Sequence, residues 1–443
     1  MKRFFAGLTA LSLLAVLLTG CGDRSGQLSP RDPVVLSMWH VYGEQADSPM
    51  NRLVEEFNET VGRDRGVIIN VTLMTNSTAV EQKLLDAQAH VVGSLDFPDL
   101  FFCHTANAAA LGREQLLDWH SCFSEEELAD FVPAFVEEGM IGEQLAVLPV
   151  SKSTHLLFLN GAQFERFSAE TGTAAEELAT WEGFFDTADR FRLWSGGTPF
   201  CAMDFLLRAM ELYAASAGTP LSITEDGWYD FTDPHLKTYW MAFARPLVEG
   251  SILVSDLYSN TQVMTGEVEA GLGSSAAILY YNDTVTYPDN RSEPLELITL
   301  PMPMAAGGTP VTTQAGVGLC AASTTPQKAE AAALFAHWFT EKQRNLDFAI
   351  SAGYVPVKND AFDEIDGHLF PNDNYQQLYG TLQLVHARFT PLTEPDHAGY
   401  FARVDRLYDA LRQEQPQWAE RFQDGEAAEA LMEESWELFR SIS

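Results

Sequence analysis

Between Pro33 and Gly112 short β-type runs alternate with helical ones, and this alternation restricts the fold more than any other feature of the chain. Pro33–Trp39 (PVVLSMW) is β-type. Asn51–Asn58 (NRLVEEFN) then places Leu53, Val54 and Phe57 on one helical face, and Gly66–Met74 (GVIINVTLM) is a second strand. Val80–Val91 is helical, Asp99–Cys103 is a third strand after Pro98, and Ala106–Gly112 restarts a helix. Strand–helix–strand–helix order implies an α/β sheet covered by helices. The rhythm breaks at Leu145–Asn160 (LAVLPVSKSTHLLFLN), where two apolar runs flank the polar step Ser151-Lys152-Ser153-Thr154. Such a step suits a chain passing between two lobes. About 420 residues follow the leader described below, more than one core usually serves, so two or more lobes are expected.

Further on, Thr180 is placed to cap a helix that begins at Trp181, and residues 203–253 read as mostly helical with one turn at Thr224–Gly227. Leu295–Leu300 and Val317–Ala321 are strands. Thr325-Pro326 opens a helix with proline at its first position; Leu334, Phe335, Trp338 and Phe339 supply its buried face, and Gly353 lies past its end.

The first 33 residues follow different rules. Lys2 and Arg3 precede an uncharged, mostly apolar run from Phe4 to Leu18, and Leu18-Thr19-Gly20 leads into Cys21. A positive head, an apolar stretch and small residues at the cut describe a secretory signal. The run is shorter than the roughly 20 apolar residues of a membrane-spanning helix. Gly22–Pro33 (GDRSGQLSPRDP) has almost nothing to bury and reads as a flexible tether.

Composition narrows the function classes. The formal charge is −35, and removing residues 1–20, with Lys2 and Arg3, leaves −37. Phosphate backbones require basic patches, so nucleic acid is excluded as a partner. Apart from Cys21 the cysteines are Cys103, Cys122, Cys201 and Cys320; no CxxC, HExxH or HxH spacing occurs, and no metal or other cofactor is expected. Cys103 and Cys122 bracket one supersecondary unit and are either a disulfide or free thiols. The chain contains no GxSxG, no Walker-type loop and no complete GxGxxG, since Gly271-Leu-Gly273-Ser-Ser-Ala lacks the last glycine. No motif demands catalysis.

Taken in order, the strand ending at Trp39 and the segments LVEEFN, PDLFF, LAVLPVSKSTHLLFLN, TWEGF, GEVEAGLGSSA, LPMP and AISAGYVPVKNDAF resemble the family 1 extracellular solute-binding proteins of ABC importers. The likeness runs from Val34 to about Phe362, and Leu18–Cys21 resembles a bacterial lipobox. The resemblance implies an α/β, two-lobed fold of the periplasmic-binding-protein type (type II), with lobes joined by hinge strands near Val150–Thr154, Ala315–Leu319 and the stretch after Tyr354. It implies a signal peptide over residues 1–20 and a tether over 21–33. One lobe would comprise residues 34–150 plus 316–360, the other 151–315 plus 361–443. It also implies lipidation of Cys21, anchoring on the outer face of a membrane, a monomer, and delivery of a small solute to ABC permease subunits.

A polar solute needs aromatic faces and short polar groups. Trp39 and His40 end the first strand, where α/β sheets present ligands; Trp39 is otherwise a core anchor. His104 follows the third strand, in a place where relatives put a ligand-contacting acid. Ser77 sits where relatives have a tyrosine. Ser153 and Gly316 lie at the crossovers, Ser274 and Ser275 follow glycines that permit close approach, Trp228 is a candidate for the second lobe's wall, and Tyr354 is the best-matched contact position. The arginine of phosphate-recognising relatives is missing from Glu394–Tyr400, which favours a sugar or oligosaccharide over glycerol 3-phosphate or a glycerophosphodiester. Lys152 and His104 are the possible substitutes for it. A surface glycoside hydrolase is the reading from another class, since 62 acidic residues always allow a carboxylate pair to be imagined.

Overall fold

The computed structural model describes residues 28–42, 48–74, 77–393, 395 and 398–442. Cys21 and the leader lie outside them. The strands that position the site are β1 (Val34–His40), β2 (Val67–Leu73), β3 (Leu100–Cys103), β4 (His155–Asn160), β5 (Cys201–Met203), β6 (Ile252–Leu253), β7 (Ala270–Ser274), β8 (Leu297–Pro301), β9 (Val311–Gln314), β10 (Gly318–Ala321) and β11 (Thr390–Thr393). The helices used below are α1 (Pro49–Phe57), α2 (Ser77–Gln88), α3 (Thr105–Leu111), α4 (Pro133–Glu138), α5 (Trp181–Ser195), α6 (Leu206–Ser216), α7 (Leu236–Val248), α8 (Pro326–Phe339), α9 (Lys342–Ala352), α10 (Asp373–Arg388), α11 (Ala398–Gln423) and α12 (Ala428–Ser441).

Two sheets organise the chain. The first has the order β10-β3-β1-β2, with β1 parallel to both β2 and β3 and β10 antiparallel to β3. Val34, Leu36 and Met38 alternate onto one of its faces, against Phe57 of α1 and Phe335 and Phe339 of α8. The second sheet has the order β8-β4-β7-β5-β6, in which β4 runs antiparallel to both neighbours. Its larger core joins Trp181 and Phe184 of α5, Trp240 and Phe243 of α7, Leu407 and Leu411 of α11, and Trp436 and Phe439 of α12. This is the α/β periplasmic-binding-protein fold.

Three stretches run between the sheets. Leu148 bridges to Leu319, Lys152 to Val355 and Ser153 to Ala315, so the crossovers lie side by side as single-residue bridges rather than as a broad sheet. Asn345 of α9 clamps two of them: its amide donates to the Val150 carbonyl at 2.7 Å and its oxygen accepts from the Val357 N–H at 3.1 Å.

Several local expectations change. The helix opening at Pro326 is two helices: α8 stops at Phe339, and Glu341 caps α9 by accepting from the Gln343 and Arg344 N–H groups. Gly353 ends α9 in the left-handed conformation, φ +72°. Residues 217–235 form turns rather than helix, because Gly218, Pro220, Gly227 and Pro234 interrupt them. The apolar run before Ser151 contributes only a two-residue strand, Gln144–Leu145. Cys103 and Cys122 are unbonded, as are Cys201 and Cys320, and the sulfur nearest Cys103 is that of Cys320, at 3.7 Å across β3 and β10.

Candidate functional site

Between the sheets lies a cavity of about 480 Å³, walled on one side by α2 and the ends of β1 and β3, on the other by the β5–α6 turn and α11, and floored by the crossovers. Its volume falls within the ~300–1,000 Å³ typical of small-molecule sites. Among the described residues no group of three or more His, Cys, Asp or Glu side chains is arranged to hold a metal.

Six aromatic side chains line it: Phe205, Tyr258, Tyr354, Tyr400, Phe401 and Tyr408. Tyr354 is positioned by α9, which ends two residues earlier; its ring lies edge-on to Tyr42 at 5.4 Å and its carbonyl accepts from the Tyr379 hydroxyl at 2.8 Å. Phe401 crosses from α11 to stack on His104 at 6.0 Å, and Phe205 lies face to face with His155 at 3.8 Å. The hydroxyls of Tyr400 and Tyr408 are already committed, one donating to Glu211 at 2.8 Å and the other accepting from the Leu207 N–H at 3.1 Å. Tyr400 has thus spent its donor, whereas the Tyr408 hydroxyl keeps its hydrogen to donate.

Charge in the wall is unevenly compensated. Arg208 donates to Glu211 at 2.5 Å and to the Leu392 and Thr393 carbonyls, while Arg412 pairs with Asp409 at 2.7 Å and Asp256 at 3.2 Å. Asp204 accepts from the Ser259 N–H and hydroxyl, both at 2.8 Å, yet burial pushes its carboxyl up to about 6. Glu81 of α2 is raised to about 7, by burial first and by Asp405 of α11 second. Asp405 is raised as well, by burial and then Asp409, against the pull of Arg412. The two histidines are held neutral: burial lowers His155 to about 3 and His104 to about 4, with Arg208 and Lys152 respectively adding to the effect. The His155 Nδ1 is buried without a hydrogen-bond partner among the described residues.

Of the positions singled out from the sequence, His104, Ser153, Ser274, Gly316 and Tyr354 line this cavity. Gly316 adopts φ +110°, which a side chain rarely tolerates, and lets the third crossover turn beside Ser151–Ser153. Ser77 begins α2, but its side chain is not among those described. Four positions are corrected. Trp39 is 2% exposed and packs with Met74, Leu84 and Phe101 under α2, because it sits on the face of β1 opposite Met38, which is open at Val35 but covered at this end of the strand. His40 is buried, its Nε2 on the Asn51 side-chain oxygen at 2.9 Å and its Nδ1 accepting from the Tyr42 N–H. Trp228 is buried against Tyr229, Tyr400 and Phe439 in the larger core. Ser275 is buried and ties the crossover down, its N–H donating to the Thr154 carbonyl at 2.8 Å. Lys152 is also redirected: it is buried, donates to Glu138 of α4 at 2.8 Å, and does not line the cavity.

The sequence reading missed Glu81, His155, Asp204 and the whole contribution of α11. The α11 residues carried a signal, since Tyr400, Val404, Tyr408 and Arg412 recur every four residues and form one helical face.

Residues 52–377 match the model of the bacterial extracellular solute-binding protein family. No curated protein matches by sequence. Solved structures of the same fold include the cyclic alpha-maltosyl-1,6-maltose binding protein of Arthrobacter globiformis (15% identity, 93% of this chain and 99% of that one, TM-score 0.65). Others are UgpB of Mycobacterium tuberculosis in complex with glycerophosphocholine (15%, 92% and 98%, 0.68) and an ABC substrate-binding protein of Listeria monocytogenes in complex with cycloalternan (13%, 92% and 98%, 0.68). The chain belongs to the bacterial extracellular solute-binding protein family, whose members bind solutes rather than transform them.

Proposed function

We propose that this solute-binding protein captures a carbohydrate in the cavity between its sheets and delivers it to an ABC permease, held at the membrane by acyl chains on Cys21. The observation that carries the reading is the cavity wall: six aromatic faces together with carboxylates, and both arginines already engaged by acids of the protein itself. Sugar rings offer apolar faces to aromatic side chains, and their hydroxyls donate to carboxylates. A phosphate dianion would need a free cationic fork, and a buried one without it is costly. The two substitutes named from the sequence do not meet that need, since Lys152 is paired with Glu138 and His104 is neutral. The structures of proteins bound to or named for cyclic alpha-maltosyl-1,6-maltose and cycloalternan favour the same class, and the glycerophosphocholine complex represents the alternative.

Capture would proceed by closure of residues 34–150 plus 316–360 against residues 151–315 plus 361–443 about the three crossovers. A ligand touching Tyr354 and His104 on one side and Phe205 and Phe401 on the other favours the closed population through contacts to both. A thermal-shift and calorimetry panel of sugars, oligosaccharides, glycerol 3-phosphate and glycerophosphodiesters tests the reading. A saccharide is expected to raise the melting temperature and to be recovered intact. Tight binding of glycerol 3-phosphate, lost in His104→Ala, would replace it with the phosphate reading, and hydrolysed glycans would replace it with the enzyme. For the anchor, Cys21→Ser is expected to release the protein from membranes.

A further inference from the structure

The carboxylates of the cavity carry more information than a preference against phosphate. Glu81 reaches the cavity from α2 and Asp405 from α11, on opposite walls. Neither has a hydrogen-bond or ion-pair partner among the described residues, whereas Asp204 is held by Ser259 and each arginine of the wall is bound to acids of its own side. Two unpaired acids brought to one cavity from two walls repel one another, and burial strengthens the repulsion. Burial raises both above their ordinary values, Asp405 adding to the rise of Glu81 and Asp409 to that of Asp405. A protein that merely needed hydrogen-bond acceptors for neutral hydroxyls could use amides at no such cost. A second observation belongs to the same cavity wall: the His155 Nδ1, on a side chain 1% exposed, has no hydrogen-bond partner among the described residues. Being neutral, the ring can accept from or donate to a ligand hydroxyl without adding positive charge.

We propose that the cavity takes a saccharide bearing a positively charged amino group, with that group held between Glu81 and Asp405 and the sugar ring against the aromatic wall. This rests on the carbohydrate reading above and narrows its substrate class. The ammonium's single positive charge offsets one of the two negative charges and lies between both acids, which replaces a repulsion with two charge-assisted hydrogen bonds. The faces of Tyr354 and Phe401 add cation–π attraction. Other charged or titratable groups near the pair are Arg412 and Asp409 on α11, and Cys103 and His104 at the end of β3. Arg412 is the only cation among these, and it already answers to Asp409 and Asp256.

Calorimetry on the mature chain decides the matter, with glucosamine oligomers, their N-acetylated counterparts and neutral gluco-oligomers as probes at low and high salt. The glucosamine oligomer is expected to bind at least about tenfold tighter than its N-acetylated counterpart at low salt, and the ratio is expected to shrink as salt rises, because screening acts on the charge pair. Glu81→Gln and Asp405→Asn should each lower that ratio severalfold. If the neutral or N-acetylated oligomer binds as tightly as the amine, this inference is overturned and the carbohydrate reading stands. If no saccharide of any kind binds, or only a glycerophosphodiester does, both fall.

Discussion

Glu269 offers the sharpest test of the electrostatics. It precedes β7 in the sequence segment GEVEAGLG, is fully buried, and has neither carboxyl oxygen within hydrogen-bond reach of a partner. The nearest opposite charge, Arg166, is engaged by Glu293 at 2.8 Å. Burial therefore raises the Glu269 carboxyl well above its ordinary value, with Arg166 opposing and Glu293 adding to the rise. In the unfolded chain the same group titrates at its ordinary value of 4.5. Between that pH and the higher native value the folded protein binds one more proton than the unfolded chain, so stability falls as pH rises, by about 1.4 kcal/mol per unit. Holding the proton thus costs more at pH 7 than at pH 5. Glu269→Gln keeps the shape and removes the proton. Whatever constant cost the extra amide hydrogen brings, the stability difference between variant and wild type should move in the variant's favour from pH 5 to pH 7, by up to about 1.4 kcal/mol per pH unit. Urea unfolding at the two pH values measures it. Parallel loss of stability in both proteins over that range would mean that the carboxyl is ionised in the folded state, and the argument would fail.

Tyr354→Ala should weaken binding of the cognate saccharide by about 1–3 kcal/mol in calorimetry, the scale of a lost aromatic face, whereas Trp39→Ala should cost about 3–5 kcal/mol of stability in urea unfolding. Loss of ligand affinity without loss of stability in Trp39→Ala would return that ring to the cavity. Gly353→Ala should destabilise by at least about 1 kcal/mol, since φ is +72° and a Cβ would stand 2.4 Å from Ile278 Cγ2 and 2.8 Å from the Ser275 carbonyl oxygen; an unchanged melting temperature would contradict that packing. Thiol titration of the chain from Leu28 onward should find four reactive cysteines after denaturation and fast reaction of at most Cys122 before it, because Cys103, Cys201 and Cys320 are buried. Two thiols fewer would mean that the 3.7 Å contact between Cys103 and Cys320 closes into a bond.

The elements legible in the sequence were those whose signal is local. Thr180 and Thr325 cap helices in the structure as their positions predicted, accepting from the Gly183 and Lys328 N–H groups. The polar step at Ser151–Thr154 stood out because apolar runs surround it, and Ser153 does border the cavity. What could not be read depended on phase or on distant partners. Trp39 and Met38 are adjacent apolar residues at the end of β1 where both faces are covered, so alternation there gave no sign of which side chain faces where. Lys152 looks like a solvated charge until Glu138, fourteen residues earlier, is seen to meet it at 2.8 Å. Glu81 was one acid among 62, and only the fold sets it opposite Asp405. The resemblance itself ended near Phe362, before the α11 face that supplies much of the wall.

The position of β10 has a consequence for the order of events when the chain is made. This edge strand covers β3, yet it follows β3 by more than two hundred residues, with the entire second sheet encoded between them. A growing chain reaches Cys103 with one edge of its first sheet open, and nothing synthesised before Gly318 can close it. The pairing that completes the first sheet spans a long loop and forms slowly compared with local helices. Until then the first sheet stays incomplete, and its final compaction waits for the chain from Gly318 onward.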